Sequence, residues 1–341
     1  MLLSYSPEEP PAITAAASVI DLIGGTPLMR MTRYLGRDDI ALYAKLEAFN
    51  PGGSAKDRPA RHMVEQALAR GDIGPATTLV ESSSGNMGIG LAQICRFHGL
   101  RLICVVDRNA LAQNVAIMQA LGAEIHRVTE ALDGDLLAAR MAAVEQLVER
   151  VPGAVWLNQY ANRDNPRAHQ MGTIVELDAA MGGAIDTLFV ATSSTGTAQG
   201  CRDYLHQQGR KTRVVAVDAQ GSTLFNGTAG PRFIPGMGAG RMPPLAAGQE
   251  FSGLVRVGDA RCVAGCRRAA EREAILVGGS AGGVLEAVRL GADSLRGQQV
   301  AVILHDSGTR YLDTIFDDAW VERTLARTPA QIRRMIDDVN A

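Results

Sequence analysis

A lysine set between a glycine turn and the start of a helix is the residue best placed for covalent chemistry. It is Lys56, in Asn50-Pro51-Gly52-Gly53-Ser54-Ala55-Lys56-Asp57-Arg58. Pro51 and the paired glycines favour a turn, and Ser54 or Asp57 is expected to cap the helix that follows. Met63, Ala67 and Leu68 then recur at helical spacing until Gly71 ends the helix. A cation at a helix N-terminus opposes the helix dipole. Two arrangements relieve that cost: an anion beside the amine, or an amine neutralised as a Schiff base, as in lysines used for covalent catalysis. The plainer alternative is a solvated charge cluster on a surface helix.

Two further stretches offer anion sites. Glu81-Ser82-Ser83-Ser84-Gly85-Asn86-Met87-Gly88 puts hydroxyls and an amide between a β run and the helix Ile89 to His98, which suits a carboxylate or phosphate, or simply a serine N-cap. Phe189 to Gly200 reads as strand, small-residue loop and helix, so Ser193, Ser194, Thr195, Gly196 and Thr197 can cradle a phosphate with backbone amides and hydroxyls. The loop is neither Gly-x-Gly-x-x-Gly nor a Walker sequence, which weakens dinucleotide and nucleoside triphosphate readings. Asn158-Gln159-Tyr160 is followed by Asn165-Pro166 and by His169, which by itself reads as a helix-capping or core-edge histidine. Pro235-Gly236-Met237-Gly238 lies in the long irregular region Gly221 to Gly248, and loops of that length tend to be functional. Ser280, in Val277 to Gly283, opens a helix, and Leu304 to Tyr311 closes the last β run.

The elements that must position these residues alternate. Short β-like runs at Leu42 to Leu46, Thr77 to Glu81, Arg101 to Val106, Glu124 to Val128, Ala154 to Asn158, Thr187 to Ala191, Arg213 to Asp218 and Gln299 to His305 are separated by helical windows such as Leu136 to Val151. That is the pattern of parallel βαβ units with helices on both faces. At 341 residues there is material for roughly two domains. A net charge of -2 gives no basic footprint for nucleic acid or an anionic membrane, and no apolar run is long enough to span a bilayer. The start of the chain, with Glu8, Glu9 and three prolines, lacks the features of a signal peptide, so a cytoplasmic location is expected. The five cysteines are expected to be reduced and buried; Cys262 and Cys266 lack a second ligand pair, so no metal is expected.

The Asn-Pro-Gly-Gly-Ser-x-Lys-Asp-Arg string resembles the Schiff-base motif of the pyridoxal-phosphate enzymes related to cysteine synthase and cystathionine β-synthase. The similarity runs from about Ile20 to about Tyr311, with the later motifs in the family's order. It implies a two-domain fold type II architecture, similar to the tryptophan synthase β chain: α/β, with parallel twisted sheets and helices on both faces. It also implies an N-terminal arm at 1-17, a smaller mobile unit at 42-157 and a larger unit formed by 18-41 plus 158-316 that binds the cofactor phosphate. Residues 317-341 are left as a charged helical tail.

By the same resemblance the cofactor is pyridoxal 5'-phosphate, carried by Lys56, which also acts as general base. Asn86 contacts its 3-oxygen, Ser193, Ser194, Thr195, Gly196 and Thr197 take the place of a Gly-Thr-Gly-Gly-Thr phosphate loop, and Ser280 faces the pyridine nitrogen. Ser83, Ser84, Gly85 and Met87 inherit the loop that grips a substrate carboxylate. Gln159, Tyr160 and Gly236 wall the site, and the Tyr160 hydroxyl is a candidate proton donor to a leaving group. A serine at the ring nitrogen disfavours transamination and leaves β-elimination, then addition to an aminoacrylate. Met87 stands where cysteine synthases usually have threonine, and Tyr160 where many relatives have phenylalanine. With the Ser-Ser-Thr-Gly-Thr loop, these departures resemble a branch that joins O-phospho-L-serine to the amine of L-glutamate on the way to 2,3-diaminopropionate for siderophores or antibiotics. The alternative is a cysteine synthase using O-acetylserine or O-phosphoserine with sulfide. The partners expected are small amino-acid substrates and a second copy of the chain in a homodimer, with no nucleic acid and no membrane. A nicotinamide dehydrogenase would share the βαβ pattern but needs a fingerprint that is missing here, and a catalytically dead binding protein would tolerate loss of Lys56.

Overall fold

Strands that are apolar along nearly their whole length need cover on both faces, and the runs Thr187–Ala191 and Gln299–Leu304 are of this kind. The computed structural model, which describes residues 15-132 and 136-338, provides that cover. Most of the expected arm at 1-17 and the last residues of the tail lie outside the described residues. Ten strands are described: β1 (Leu28–Arg30), β2 (Ala41–Leu46), β3 (Thr78–Ser82), β4 (Arg101–Asp107), β5 (Glu124–Val128), β6 (Ala154–Trp156), β7 (Thr187–Ala191), β8 (Arg213–Ala219), β9 (Gly253–Val257) and β10 (Gln299–Leu304). They form a six-stranded sheet in the order β1-β2-β10-β7-β8-β9 and a four-stranded sheet in the order β5-β4-β3-β6. Every pairing is parallel except β1 with β2.

The two-residue period of the strands sorts side chains to opposite layers. On the smaller sheet, Leu79, Leu102, Cys104 and Val106 face the helices Asp57–Arg70 and Asn86–His98, while Val80, Ile103 and Val105 face the helix Leu136–Arg150 through Val144. On the larger sheet, Phe189, Val215, Val217, Val300 and Val302 pack with the helices Asp259–Glu273 and Gly279–Leu290. Leu188, Val190, Val214, Ala301 and Ile303 face the opposite layer, with Ile174, Leu177 and Cys201. The helices Asp259–Glu273 and Gly279–Leu290 cross backbone to backbone: a Cβ on Gly265 would lie 2.2 Å from the Gly282 carbonyl oxygen. All five cysteines are buried free thiols, and Cys262 and Cys266 are core residues of this crossing.

Three expectations change. The Leu42 to Leu46 run, assigned above to the smaller unit at 42-157, pairs along its length with β10 and so belongs to the larger sheet. Two strands were not anticipated: β1 is only three residues long, and β9 is an edge strand that follows the irregular region with only short 3-10 turns, and no α-helix, between it and β8. The tail is more than a solvated appendage. Its helices Asp318–Leu325 and Pro329–Asp337 pack down, with Val321, Ile332 and Ile336 in the larger core. No helix of the described residues is long and apolar enough to cross a membrane.

The helix that begins beside Lys56 is moored by a buried ionic network. Arg58 donates to both Glu47 oxygens, at 2.7 and 2.9 Å, and to both Glu176 oxygens, at 2.6 and 2.8 Å. Lys45 adds a contact to Glu176 at 2.7 Å, and Thr26 donates to Glu47 at 2.7 Å. The turn Gly24-Gly25-Thr26-Pro27 is thereby tied to the lysine segment, since the Gly24 amide also donates to Asn50 at 2.9 Å. Truncating one member of such a group leaves a buried charge uncompensated, which is more costly than replacing the whole group. Arg58→Ala is therefore expected to destabilise the fold by about 3–5 kcal/mol. Denaturant unfolding measures it; a loss near zero would mean that Glu47 is not held as described.

Candidate active site

Lys56 sits at the junction of the two sheets, and the sequence around it folds differently from the simple capped turn. Neither Ser54 nor Asp57 caps the helix, which starts after Lys56 itself with no side-chain cap. The buried Asp57 carboxylate instead takes the Gly52 amide, closing the Pro51-Gly52-Gly53 turn from below. Gly71 ends the helix in the left-handed region, as expected. The Lys56 amine forms no hydrogen bond or ion pair among the described residues. Burial pushes its pKa down to about 8 against the pull of Asp306. The neutral, nucleophilic amine thus predominates above about 8 and the ammonium below it. Capture of an aldehyde by Lys56 in the cofactor-free chain should therefore slow about tenfold per pH unit below that point and level off above it. Stopped-flow absorbance reads this; a rate still climbing to the pKa of a solvated lysine would contradict it.

Around Lys56 lies a small cavity lined by Asn86, the Ser193 to Thr197 loop, Gly236, Ser280 and His305. It shares Lys56, Asn86, Ser193, Ser194 and Gly236 with a wider cleft of about 580 Å³, to which Ser83, Ser84, Gly85, Met87, Gln159 and Tyr160 also contribute. All the residues singled out in the sequence as site candidates are thus brought to one place. The β3 and β7 ends deliver two of the loops, from different sheets, and β10 delivers His305.

The Ser193 to Thr197 loop runs into the N-terminus of the helix Gly196–Gln207. Thr195 adopts φ +67°, a left-handed conformation rare for a β-branched residue, and Gln249 restrains its hydroxyl at 3.0 Å. Asn165 donates to the Gln159 carbonyl at 2.7 Å and to the Ser194 hydroxyl at 3.2 Å, and packs so tightly under the loop that a Cβ on Gly196 would lie 2.3 Å from its Oδ1. His169 is fully buried behind the loop, with Nε2 3.2 Å from the Thr197 hydroxyl and Nδ1 2.9 Å from that of Thr173. Burial, then the charges of Lys56 and Arg58, keep it neutral. It positions the loop and does not line the cavity.

In the Ser82 to Gly88 loop the hydroxyls divide their work. The Ser83 hydroxyl accepts from the Gly88 amide at 2.9 Å, which steadies the start of the helix Asn86–His98 and leaves its O–H to donate into the cleft that it lines. Ser84 accepts from Arg140 Nη1 at 3.0 Å. Arg140 also lies 3.1 Å from Asp107. Asn86 donates to the buried Asp306 at 2.8 Å and accepts from Arg310; Asp306 accepts from Tyr311 at 2.6 Å as well. Ser280 is buried in the first turn of its helix but is not the cap, which is Gly278. Its Oγ has no hydrogen-bond partner among the described residues and faces Gly236, where an added Cβ would lie 3.4 Å away. Burial raises the Tyr160 pKa, with Arg140 opposing, so the phenol remains a donor at neutral pH. His305, for which burial and then Lys56 lower the pKa to about 3, is neutral beside the amine, and neither ring nitrogen has a partner.

Sequence reasoning missed Arg140 and Arg232, both of which line the cleft, as well as Trp320 and Thr324 from the tail. Arg140 lies on an amphipathic helix among other charges, and nothing in its neighbours' spacing separates it from a surface residue.

The donor set suits a phosphorylated aldehyde with a ring nitrogen: an unpaired amine, a cradle of amides and hydroxyls at a helix N-terminus, and a free neutral hydroxyl. Comparison with known proteins agrees. A profile of the family described as "Pyridoxal-phosphate dependent enzyme" matches residues 19–306. The chain is 43% identical over 313 residues to the N-(2-amino-2-carboxyethyl)-L-glutamate synthase of Ralstonia nicotianae, covering 91% of this chain and 93% of that protein. It is 41% identical over 315 residues to the enzyme of the same name in Cupriavidus metallidurans, with 91% and 92% covered. Among solved structures, it resembles the O-acetylserine dependent cystathionine beta-synthase of Helicobacter pylori, with TM-score 0.83, 30% identity, and 89% of this chain and 99% of that one covered.

Proposed function

The chain belongs to the pyridoxal-phosphate dependent enzymes, and from that premise we propose that it joins O-phospho-L-serine to the amine of L-glutamate, releasing phosphate and forming N-(2-amino-2-carboxyethyl)-L-glutamate. The names of the two relatives above support the reading. The observation that carries it is the charge of the cleft: besides Lys56, the point of attachment, two guanidinium groups line it, Arg140 and Arg232, and among the described lining residues there is no Asp or Glu. Sulfide and an acetyl leaving group need no such cations, whereas a phosphate ester and a dicarboxylic amino acid do.

When bound, pyridoxal phosphate supplies the carbonyl that Lys56 captures and a ring that withdraws electrons from the α-carbon of the first amino acid. The amides and hydroxyls of Ser193 to Thr197 would hold its phosphate, Ser280 would serve its ring nitrogen, and Asn86, itself held by Asp306 and Arg310, would meet the edge of its ring. The amides of Asn86 and Met87, in the loop that Ser83 steadies by accepting from the Gly85 and Gly88 amides, take the α-carboxylate of O-phosphoserine. Lys56 removes the α-proton. Arg140, steadied by Ser84 and Asp107, binds the phosphate as its bond to the β-carbon breaks, and the Tyr160 hydroxyl donates toward the departing oxygen. The amine of glutamate must arrive unprotonated; once Lys56 has passed the α-proton on, by way of Tyr160, to the departing phosphate, its neutral amine is the base in the cleft able to take the amine's proton and return it to the α-carbon. Closure of the four-stranded unit over the cleft, a homodimer and a cytoplasmic setting belong to the same reading.

Phosphate release from O-phospho-L-serine, measured with L-glutamate and with sulfide at matched concentrations, tests it. Glutamate should drive turnover to the adduct. Release driven only by sulfide, with cysteine as product, would make the chain a cysteine synthase.

A further inference from the structure

Arg232 has no place in the steps above, yet it lines the cleft with a guanidinium that nothing has claimed. Among the described residues it forms no hydrogen bond and no ion pair, and its Nε is shielded from solvent without a partner. An unpaired buried donor of this kind is costly unless a ligand completes it. The nearest acidic groups are otherwise engaged. Asp259 accepts the Phe233 and Ile234 amides at 2.9 and 3.4 Å, and Asp218 accepts the Ala219 amide at 2.9 Å with Arg256 3.8 Å away. Both carboxylates feel Arg232 at a distance but do not pair with it.

The chain around Arg232 is shaped to hold the fork in place. A Cβ on Gly238 would come within 2.9 Å of its Nη1, and one on Gly240 within 3.3 Å of its Nη2, so two glycines of the Pro235 to Gly240 turn make room for the guanidinium. Gly238 also needs its own residue type, at φ +80°. Arg232 is absent from the small cavity around Lys56 and Ser280, and its neighbour Phe233 is 49% exposed, which puts it toward the rim of the cleft.

We infer that Arg232 anchors the side-chain carboxylate of the second substrate and thereby selects glutamate. The inference rests on the function proposed above. To react, the amine of that substrate must sit over Lys56, and this keeps the adjoining α-carboxylate in the inner cleft. The side-chain carboxylate, three carbons further out, then reaches the rim, where a planar guanidinium can take it bidentately. Arg140 serves the phosphate of the first substrate from the other sheet, so each substrate has its own guanidinium.

The test is Arg232→Gln in the holoenzyme, with Arg232→Lys beside it, assayed against L-glutamate and L-glutamine as competing amines. Wild type should prefer glutamate. In Arg232→Gln the KM for glutamate should rise about tenfold or more, and the preference over glutamine should vanish, with Arg232→Lys between the two. The spectral change produced by O-phospho-L-serine alone reports the first half of the reaction and should keep its amplitude in both variants. An unchanged preference for glutamate, or a variant that loses the O-phosphoserine response as fully as it loses glutamate, overturns the assignment. If wild type takes neither amine, the proposed function itself fails and this inference with it.

Discussion

Lys56→Ala is expected to abolish covalent retention of the cofactor and to lower turnover by at least ~10³-fold, because one side chain serves both as the point of attachment and as the base. The fold should survive. The Lys56 amine makes no hydrogen bond or ion pair among the described residues, and the neighbouring turn is held by Asp57 on the Gly52 amide and by Arg310 on the Gly52 carbonyl. Borohydride reduction of the wild-type holoenzyme, followed by peptide mapping, fixes the attachment independently of activity. The label should fall on Lys56. Lys45 is spent on Glu176 and the Thr26 carbonyl, so a label there, or on Lys211, would overturn the assignment.

Arg140→Leu is expected to have the second large effect, and a selective one. Removing a guanidinium that pairs with a dianionic leaving group in a sheltered cleft costs about 2–5 kcal/mol, or roughly 30- to 5,000-fold in kcat/KM for O-phospho-L-serine. With O-acetyl-L-serine, which presents no anion at that position, the change should be small. Arg140→Lys, which keeps the charge but not the fork, should fall between. Since Arg140 also approaches Asp107, thermal unfolding must be measured alongside. Equal losses on the two esters would mean that Arg140 shapes the Ser84 loop without binding phosphate.

What the sequence made legible has a physical pattern. Strands buried on both faces, such as β7 and β10, announce themselves as continuous apolar runs, and the loops that follow β3 and β7 carry serine and threonine where an apolar helix start would be ordinary. Lys56 was legible because it stands against the helix dipole. The edge strand β9 was not, since a half-exposed Gly-Leu-Val-Arg-Val run looks like a loop until β8 pairs with it. The sequence did not show that Ser83, while lining the cleft, also steadies the start of the following helix by accepting from the Gly88 amide at 2.9 Å. Arg140 and Arg232 were hidden for a related reason. Their meaning lies in what surrounds them, Ser84 and Asp107 beside Arg140 and no acidic partner for Arg232 among the described residues, and that is a property of three dimensions. The helix Asp318–Leu325 read as a tail, yet Trp320 and Thr324 reach the cleft because Val321, on the same helix, is drawn into the larger core.

The most direct measurement of the account follows the nitrogen. Holoenzyme is incubated with O-phospho-L-serine and ¹⁵N-labelled L-glutamate, and the products are resolved by mass spectrometry and NMR. One phosphate should be released per adduct formed, with the labelled nitrogen bonded to the former β-carbon of serine. Phosphate released together with pyruvate and ammonia, while the labelled glutamate is recovered unchanged, would contradict it.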